Sequence, residues 1–397
     1  MSSAVGFVSR VYKIYNPPKA VSATQGGSAR PLRFGILGAA QIAPAALIRP
    51  AVSHLEVEVY AVAARDRNKA QAFARKHGIP KVHGSYEELI ADPDVDAIYN
   101  PLPNMLHFEW TMKALEAGKH VLLEKPAADT VEETKAMFEL AEKKGLVLLE
   151  AFHYRFHPAT QRVKAILDGG ELGKVKHIKT VMTVPRAMFS AADIRFDYGL
   201  GGGAMMDMGC YTMNAIRYFS SSNPISILDV SHRAFQSLKA SDTGKVDEEI
   251  TASFSLPNDV TAKLTSDLRS PNVLGIIPRL PELDATIECE GGKIEVYNFV
   301  LPSLYHTITV TPRNGRVRRE KVYTFKEGSL KGEPWWETYR YQLEAFVDKV
   351  KGRVPQAWIT KEDTLANMEW IEKVYTEAGL GVRPKSAYVH RSSYLVA

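Results

Sequence analysis

The chain has 397 residues, 45% of them hydrophobic, and a formal net charge of +5 from 50 Lys and Arg against 45 Asp and Glu. That length is ample for two cores. No apolar run approaches the roughly 20 residues that cross a bilayer, and the mild positive charge is scattered with no basic stripe among aromatics, so neither a membrane nor a nucleic-acid partner is expected.

Residues 1–31 are read as an N-terminal extension carrying Arg10, Lys13, Lys19 and Arg30 and no acidic residue. Transit peptides have this composition, as do ordinary polar leaders. The apolar core of a secretory signal is missing, so a cytoplasmic location is expected, with an organellar address left open. Val5, Phe7, Val8, Val11, Tyr12 and Tyr15 fit one apolar helical face that would dock on the protein. The two cysteines, Cys210 and Cys289, suit a reducing compartment, and no Cys/His cluster has zinc spacing, so no metal is expected.

A strand is predicted over 33–37, followed by Gly38-Ala39-Ala40-Gln41-Ile42-Ala43 and a helix to about residue 53. Gly38, Ala40 and Ala43 match the small-residue positions of a dinucleotide turn, and Pro44 suits a first helical turn whose free N–H groups attract phosphate. The second strand, 57–63, ends in Ala64-Arg65-Asp66-Arg67-Asn68-Lys69. Basic residues there favour a 2′-phosphate and hence NADP; Asp66 keeps NAD open, as the carboxylate that would bind a ribose. Further alternation follows: helix 68–77, strand 95–100, helix 105–117, strand 120–124, helix 130–144 and strand 146–151. Strands alternating with such helices predict a parallel, doubly wound sheet. Asn100-Pro101-Leu102-Pro103-Asn104 forms a rigid loop at its carboxyl edge, with His107 one turn into the next helix. His120-Val121-Leu122-Leu123-Glu124-Lys125-Pro126 brings a lysine to the same edge, where ligands of open α/β sheets bind.

Beyond residue 170 the period changes. Runs at 175–184, 248–256, 261–267, 285–290, 293–297 and 306–311 alternate and are separated by turn residues, which predicts antiparallel strands. Gly201-Gly202-Gly203 marks a loop of close approach. The helix-like run after it places Asp207, Tyr211 and Asn214 on one face. Helices return at 336–351 and 361–378. Ile250, Ala252, Phe254, Ala262 and Leu264 are expected to form an apolar sheet face buried in a symmetric dimer.

These motifs occur in an order that resembles the glucose–fructose oxidoreductase/inositol dehydrogenase (Gfo/Idh/MocA) family over about 32–382. The resemblance rests on Gly-x-x-Gly-x-Ala-x-Ile-Ala at 35–43, Pro-Asn-x-x-His at 103–107, Glu-Lys-Pro at 124–126, Glu-Ala-Phe-His-Tyr-Arg-Phe-His-Pro at 150–158, and Gly-Gly-Gly with Asp-x-x-x-Tyr at 201–211. The tyrosine form looks most like the branch of dimeric dihydrodiol dehydrogenases and fungal NADP-dependent D-xylose dehydrogenases. It implies an α/β Rossmann domain at 32–153, an α+β domain with an open, predominantly antiparallel sheet at 154–382, a tail at 383–397 and a homodimer through the sheet. By position, Gly38, Ala40 and Ile42 would hold a pyrophosphate and Arg65 the adenine ribose and its phosphate. Leu102, Asn104, His107 and Glu124 would frame the nicotinamide, with Lys125 also touching the cofactor. Lys125 and Tyr211 would be the catalytic pair, and Arg155, Phe156, His157, Arg195 and Asp207 would line or brace the substrate pocket. Ala64 lacks the serine hydroxyl that this branch often has.

The implied reaction moves hydride between the cofactor and a carbinol of a small polyhydroxy substrate. Lys125 and an oxidised nicotinamide would draw the Tyr211 phenol toward phenolate. Oxidation of a pyranose to a lactone, as in D-xylose 1-dehydrogenases, is the leading reading. A trans-dihydrodiol dehydrogenase or carbonyl/sugar reductase is the alternative, and a non-catalytic NADP-binding regulator is the alternative of another class.

Overall fold

The buried runs between residues 32 and 150 fold as a six-stranded parallel sheet in a computed structural model, which describes residues 4–20, 30–237, 239–325 and 331–390. Ahead of the sheet lies a helix, α1, Ala4–Tyr15. Its predicted apolar docking face is corrected. Ile14 and Arg10 turn inward, the Arg10 guanidinium donating to the Ser303 and Leu304 carbonyls, while Val5, Val8, Tyr12 and Tyr15 stay exposed. A buried cation with two backbone acceptors anchors the helix, and the tyrosines stay at the surface. The rest of the extension, 1–3 and 21–29, lies outside the described residues.

Strands β1 Leu32–Leu37, β2 Val57–Ala63, β3 Lys81–His83, β4 Ala97–Asn100, β5 His120–Leu123 and β6 Leu148–Glu150 pair in the order β3-β2-β1-β4-β5-β6. The direction of winding reverses between β1 and β4, and a crevice opens beyond their carboxyl ends. The helix predicted after β1 begins as a widened turn, Pro44–Ile48, before α2, Arg49–Val52. Pro50 has no N–H to give the preceding turn, and the widening accommodates it. Helix α3, Arg67–His77, is followed by α4, Tyr86–Ala91, α5, His107–Glu116, and α6, Val131–Lys143. Thr130 caps α6 by accepting from the Glu133 N–H.

Helix α7, Pro158–Asp168, leads into an eight-stranded sheet. Its strands are β7 Val175–Pro185, β8 Ser226–Ala234, β9 Asp247–Leu256, β10 Val260–Ser270, β11 Glu282–Cys289, β12 Gly292–Tyr297, β13 Thr307–Pro312 and β14 Arg318–Glu320, with helix α8, Cys210–Ser220, between β7 and β8. The order β14-β13-β12-β11-β7-β10-β9-β8 is antiparallel except at β7–β10, which run parallel in its middle. Edge strand β8 escapes the alternation rule because its register shifts twice, between Ile227 and Asp229 and between Arg233 and Ala234.

The two faces of this sheet are the reverse of the expectation. Ile250, Ala252, Phe254, Ala262 and Leu264 are buried inside the molecule under the helices, Phe254 meeting Trp370 edge-on with ring centroids 6.0 Å apart. The outer face carries Lys179, Thr251, Ser253, Thr261, Lys263 and Thr265. Alternation separates two faces; it does not say which one the helices cover.

Helices α9, Thr338–Val350, and α10, Lys361–Glu377, return to the first sheet's domain. Phe346 of α9 packs on Phe34 of β1, and Glu372 of α10 accepts the Val131 N–H that opens α6. After them Arg383 is buried against Asp247 at 3.2 Å. Residues 391–397 of the predicted tail lie outside the described residues.

Candidate active site

The turn after β1 needs a glycine. Gly38 has φ of +85°, and a Cβ there would meet the Leu102 side chain at 3.2 Å. Its N–H donates to Ala63, while the N–H groups of Gln41 and Ile42 find no backbone carbonyl among the described residues. They face a cleft of about 860 Å³ walled by Gly38, Ala40, Ile42, Arg65, Leu102 and Arg195. An adjoining space of about 390 Å³ shares Arg65 and Tyr86 with it and adds Trp110.

Arg65 is exposed in this cleft, just past the end of β2. Asp66 is spent locally: its Oδ1 accepts the Asn68 and Lys69 N–H groups at 2.9 and 3.2 Å and caps α3. The carboxylate that kept NAD open is thereby a helix cap.

At the end of β5, Glu124 is buried and accepts the Tyr99 hydroxyl at 2.7 Å; burial raises its pKa. Lys125 crosses to the second domain. Its Nζ donates to the Asp207 carbonyl at 2.8 Å and to Asp207 Oδ1 at 3.0 Å, and lies 4.9 Å from the centre of the Tyr211 ring. Asp207 sits in a widened turn, Met205–Gly209, that runs into α8 and presents both its carbonyl and its carboxylate to the lysine. Arg195 Nε donates to the other carboxylate oxygen at 2.8 Å, and Asp193 holds the same guanidinium at 3.0 Å. Burial opposes the charge on Asp207, but Lys125 and Arg195 hold its carboxyl well below the usual range. Lys125 stays above its ordinary value because Asp207 outweighs its burial. Tyr211 is buried and Lys125 half-buried; Asp207 links Lys125 to Arg195, which lines the cleft.

The glycine loop approaches closely, as its composition predicts. Gly203 has φ of +141°, and a Cβ there would come within 2.2 Å of Asp247 Oδ1 and 2.5 Å of the Tyr375 hydroxyl. Asn104 Nδ2 donates to the Gly201 carbonyl at 2.9 Å, tying the proline loop to this one.

Several expected residues stand elsewhere. His107 is 1% exposed, with Nδ1 at 2.8 Å from the Pro126 carbonyl and Nε2 at 2.7 Å from that of Leu102. It pins two loops instead of facing the cleft. Arg155 braces: it reaches Asp363 at 2.9 Å and Asn214 at 3.2 Å and lies over Tyr218. His157 Nδ1 accepts the Ala159 N–H and caps α7, its ring against His306 and Tyr341, and Phe156 packs beside Tyr341. Of the two roles expected, lining or bracing, both residues are too buried to line the cleft, since Pro158 starts a helix that needs a cap and a packed face. Met188, Phe189 and Ile194 line the cleft instead.

The lysine alone does not lower the Tyr211 phenol: burial pushes it well up, and the ammonium is paired with Asp207. The tyrosine's hydroxyl meets His153 Nε2 at 3.0 Å. Sequence reasoning passed over His153, although its place just beyond β6 on the carboxyl edge was a signal. It also missed Tyr339, which stacks on His153 from α9 and has no local signature.

Residues 32–152 match the profile of the GFO/IDH/MocA oxidoreductase family, described as an NAD-binding Rossmann fold, and residues 160–295 match that family's C-terminal domain. The chain is 35% identical over 351 residues to the D-xylose 1-dehydrogenase (NADP(+)) 2 of Haloferax volcanii, covering 88% of this chain and 98% of that one. It is 38% identical to the trans-1,2-dihydrobenzene-1,2-diol dehydrogenase of Xenopus tropicalis over 184 residues, 45% of this chain and 52% of that one. Among solved structures it is similar to a 3-ketoreductase of Actinomadura kijaniata in complex with NADP and TDP-benzene. The TM-score is 0.73 and the identity 26%, over 91% of this chain and 100% of that one.

Proposed function

The chain belongs to the GFO/IDH/MocA oxidoreductase family, and on that premise we propose that it is an NADP-dependent dehydrogenase that oxidises the C1 hydroxyl of a pyranose such as D-xylose to the lactone. The observation that carries the reading is Lys125, held by Asp207 over the face of Tyr211, at the carboxyl end of a Rossmann strand. A non-catalytic regulator has no use for that arrangement. The trans-dihydrodiol reading keeps one observation of its own, the Arg195 guanidinium lying 4.2 Å from the Phe189 ring centre in the cleft wall.

The residues fit the cofactor. The Gly38 turn takes a positive φ that favours glycine, Gln41 and Ile42 border the cleft with N–H groups that find no backbone carbonyl among the described residues, and Arg65 is exposed in it beside Asp66, whose Oδ1 is taken up by the α3 cap. Gly38, Ala40 and Ile42 would hold the pyrophosphate and Arg65 the 2′-phosphate. Leu102 and Asn104 shape the nicotinamide end, with Glu124 and His107 buried behind them. When bound, the nicotinamide supplies the hydride acceptor. Tyr211 then takes the C1 hydroxyl proton and Lys125 stabilises the forming oxyanion, while Arg195 and Asp207 orient neighbouring hydroxyls. A panel of aldopyranoses and trans-diols with NADP and NAD, followed at the reduced-nicotinamide absorbance, tests this. D-xylose with NADP is expected to lead, and exclusive turnover of trans-diols would move the assignment to the alternative.

Cofactor choice makes its own prediction. Arg65→Ala is expected to weaken NADP binding by about 1.5–3 kcal/mol, the scale of a hydrogen bond to a charged group, and NAD binding far less. Fluorescence titration with the two reduced cofactors measures both, and equal losses would deny Arg65 the phosphate.

The assembly of this reading is a homodimer through the outer face of the eight-stranded sheet. That face is polar, but the segment 271–281 beside it exposes Leu274 at 86%, Ile276 at 77% and Leu280 at 87%, the kind of apolar patch that marks an interface. Light scattering is expected to report about twice the chain mass; an active monomer would remove the dimer. No helix among the described residues is long and apolar enough to cross a membrane, and the cytoplasm is the location we propose.

A further inference from the structure

The proposed chemistry asks Tyr211 to exchange a proton in a place that resists its ionisation. Burial opposes ionisation of its hydroxyl, the carboxyls of Glu124 and Asp207 add to that, and the ring of Tyr154 packs alongside. Lys125 is the cation over its ring, and its ammonium is committed to Asp207. The remaining polar contact at the phenol oxygen is His153 Nε2, at 3.0 Å.

His153 is 1% exposed, and its ring lies on that of Tyr339 with centroids 4.0 Å apart, which fixes the imidazole plane. Its other nitrogen, Nδ1, is buried with no hydrogen-bond partner among the described residues. A neutral imidazole carries one proton. On Nδ1 that proton would be an orphaned buried donor, the rarer and costlier kind of orphan; on Nε2 it has the Tyr211 oxygen as acceptor. Burial, with Lys125 nearby, pushes His153 down to about 3, so the ring stays neutral and keeps this single donor through the working pH range.

We infer that His153 is a positioning residue for Tyr211: its Nε2–H donates to the phenol oxygen, which turns the tyrosine's own proton toward the substrate and stabilises the phenolate. This rests on the proton-exchange role given to Tyr211 above. A hydrogen bond to the charged form favours that form, and a neutral donor supplies it without adding a second cation beside Lys125. In the oxidative direction the substrate hydroxyl gives its proton to the phenolate, the bound nicotinamide being what would accept the hydride. His153 neither gains nor loses a proton.

The test is nuclear magnetic resonance on the whole chain, and its first part needs no substrate. In wild type, the His153 ring nitrogens are expected to show a protonated Nε2 and a bare Nδ1; the opposite tautomer would overturn the inference. In the NADP-loaded protein, labelled Tyr211 is expected to titrate about one pH unit or more higher in His153→Phe, a tenfold shift in equilibrium. It should return most of the way in His153→Gln, which keeps an N–H. The acid limb of kcat/KM for D-xylose should move with it while KM holds. A folded His153→Phe with an unmoved Tyr211 titration would overturn the positioning role. If that variant does not fold, the wild-type tautomer decides. Wild type that turns over no sugar or diol would sink the dehydrogenase reading and leave the tautomer result standing, so the two failures are distinguishable.

Discussion

Lys125→Met is expected to lower kcat for NADP-linked sugar oxidation on the order of 10³-fold or more, the upper range for removing one donor from a developing oxyanion. Methionine keeps the length and the apolar stem and loses the charge. The same change leaves Asp207 with Arg195 as its remaining cation. Breaking one side of a buried pair carries a stability cost, here up to about 3 kcal/mol because Arg195 compensates in part. Thermal unfolding therefore has to be read beside the rate. A variant that melts a few degrees lower, still binds NADP and has lost turnover is the expected result. Turnover near wild type would show that the ammonium touches no reacting atom.

Tyr211→Phe should cost on the order of 10²–10⁴-fold in kcat, the usual span for one acid/base group. It removes a single oxygen from a side chain that is 4% exposed and packed edge-on against Phe152 at 5.4 Å. The core contact survives, and the loss in stability is limited to the His153 hydrogen bond, about 1 kcal/mol. The pH profile separates a chemical role from a packing one: residual activity should lose the rise with pH that phenol ionisation gives to wild type. An unchanged kcat, or an unchanged profile, would remove Tyr211 from the proton path.

Much of the first domain was legible because its signals are local. A buried parallel strand reads as an apolar run, and Glu124-Lys125-Pro126 declares where one such run ends. The glycine loop was legible as a place of close approach, and Gly203 bears this out with no room for a Cβ. Asp66 had two readings, ribose ligand or helix cap; the cap was visible in principle, since an Asp directly before a helical run is a common N-cap. The residues that failed did so for long-range reasons. Ile250 and Phe254 alternate correctly, but which side the helices cover depends on α8 and α10, and α10 lies more than a hundred residues later in the chain. The tyrosines of α1 share a face, but the helix docks through Arg10 because Ser303 and Leu304 offer it carbonyls. His157 was expected at the pocket and turned out to be a helix cap, while His153, four places earlier in the same block, met the Tyr211 hydroxyl. Side chains in a short irregular turn diverge, and no periodicity predicts which one faces the site.

The most direct measurement is the fate of a deuterium placed at C1 of D-xylose. Oxidation by the chain with NADP should deliver that deuterium to the nicotinamide ring, adding one mass unit to the reduced cofactor, with unlabelled lactone as product. Reduced cofactor without the label, or label lost to solvent, would contradict direct hydride transfer from the carbon whose hydroxyl Lys125 and Tyr211 hold.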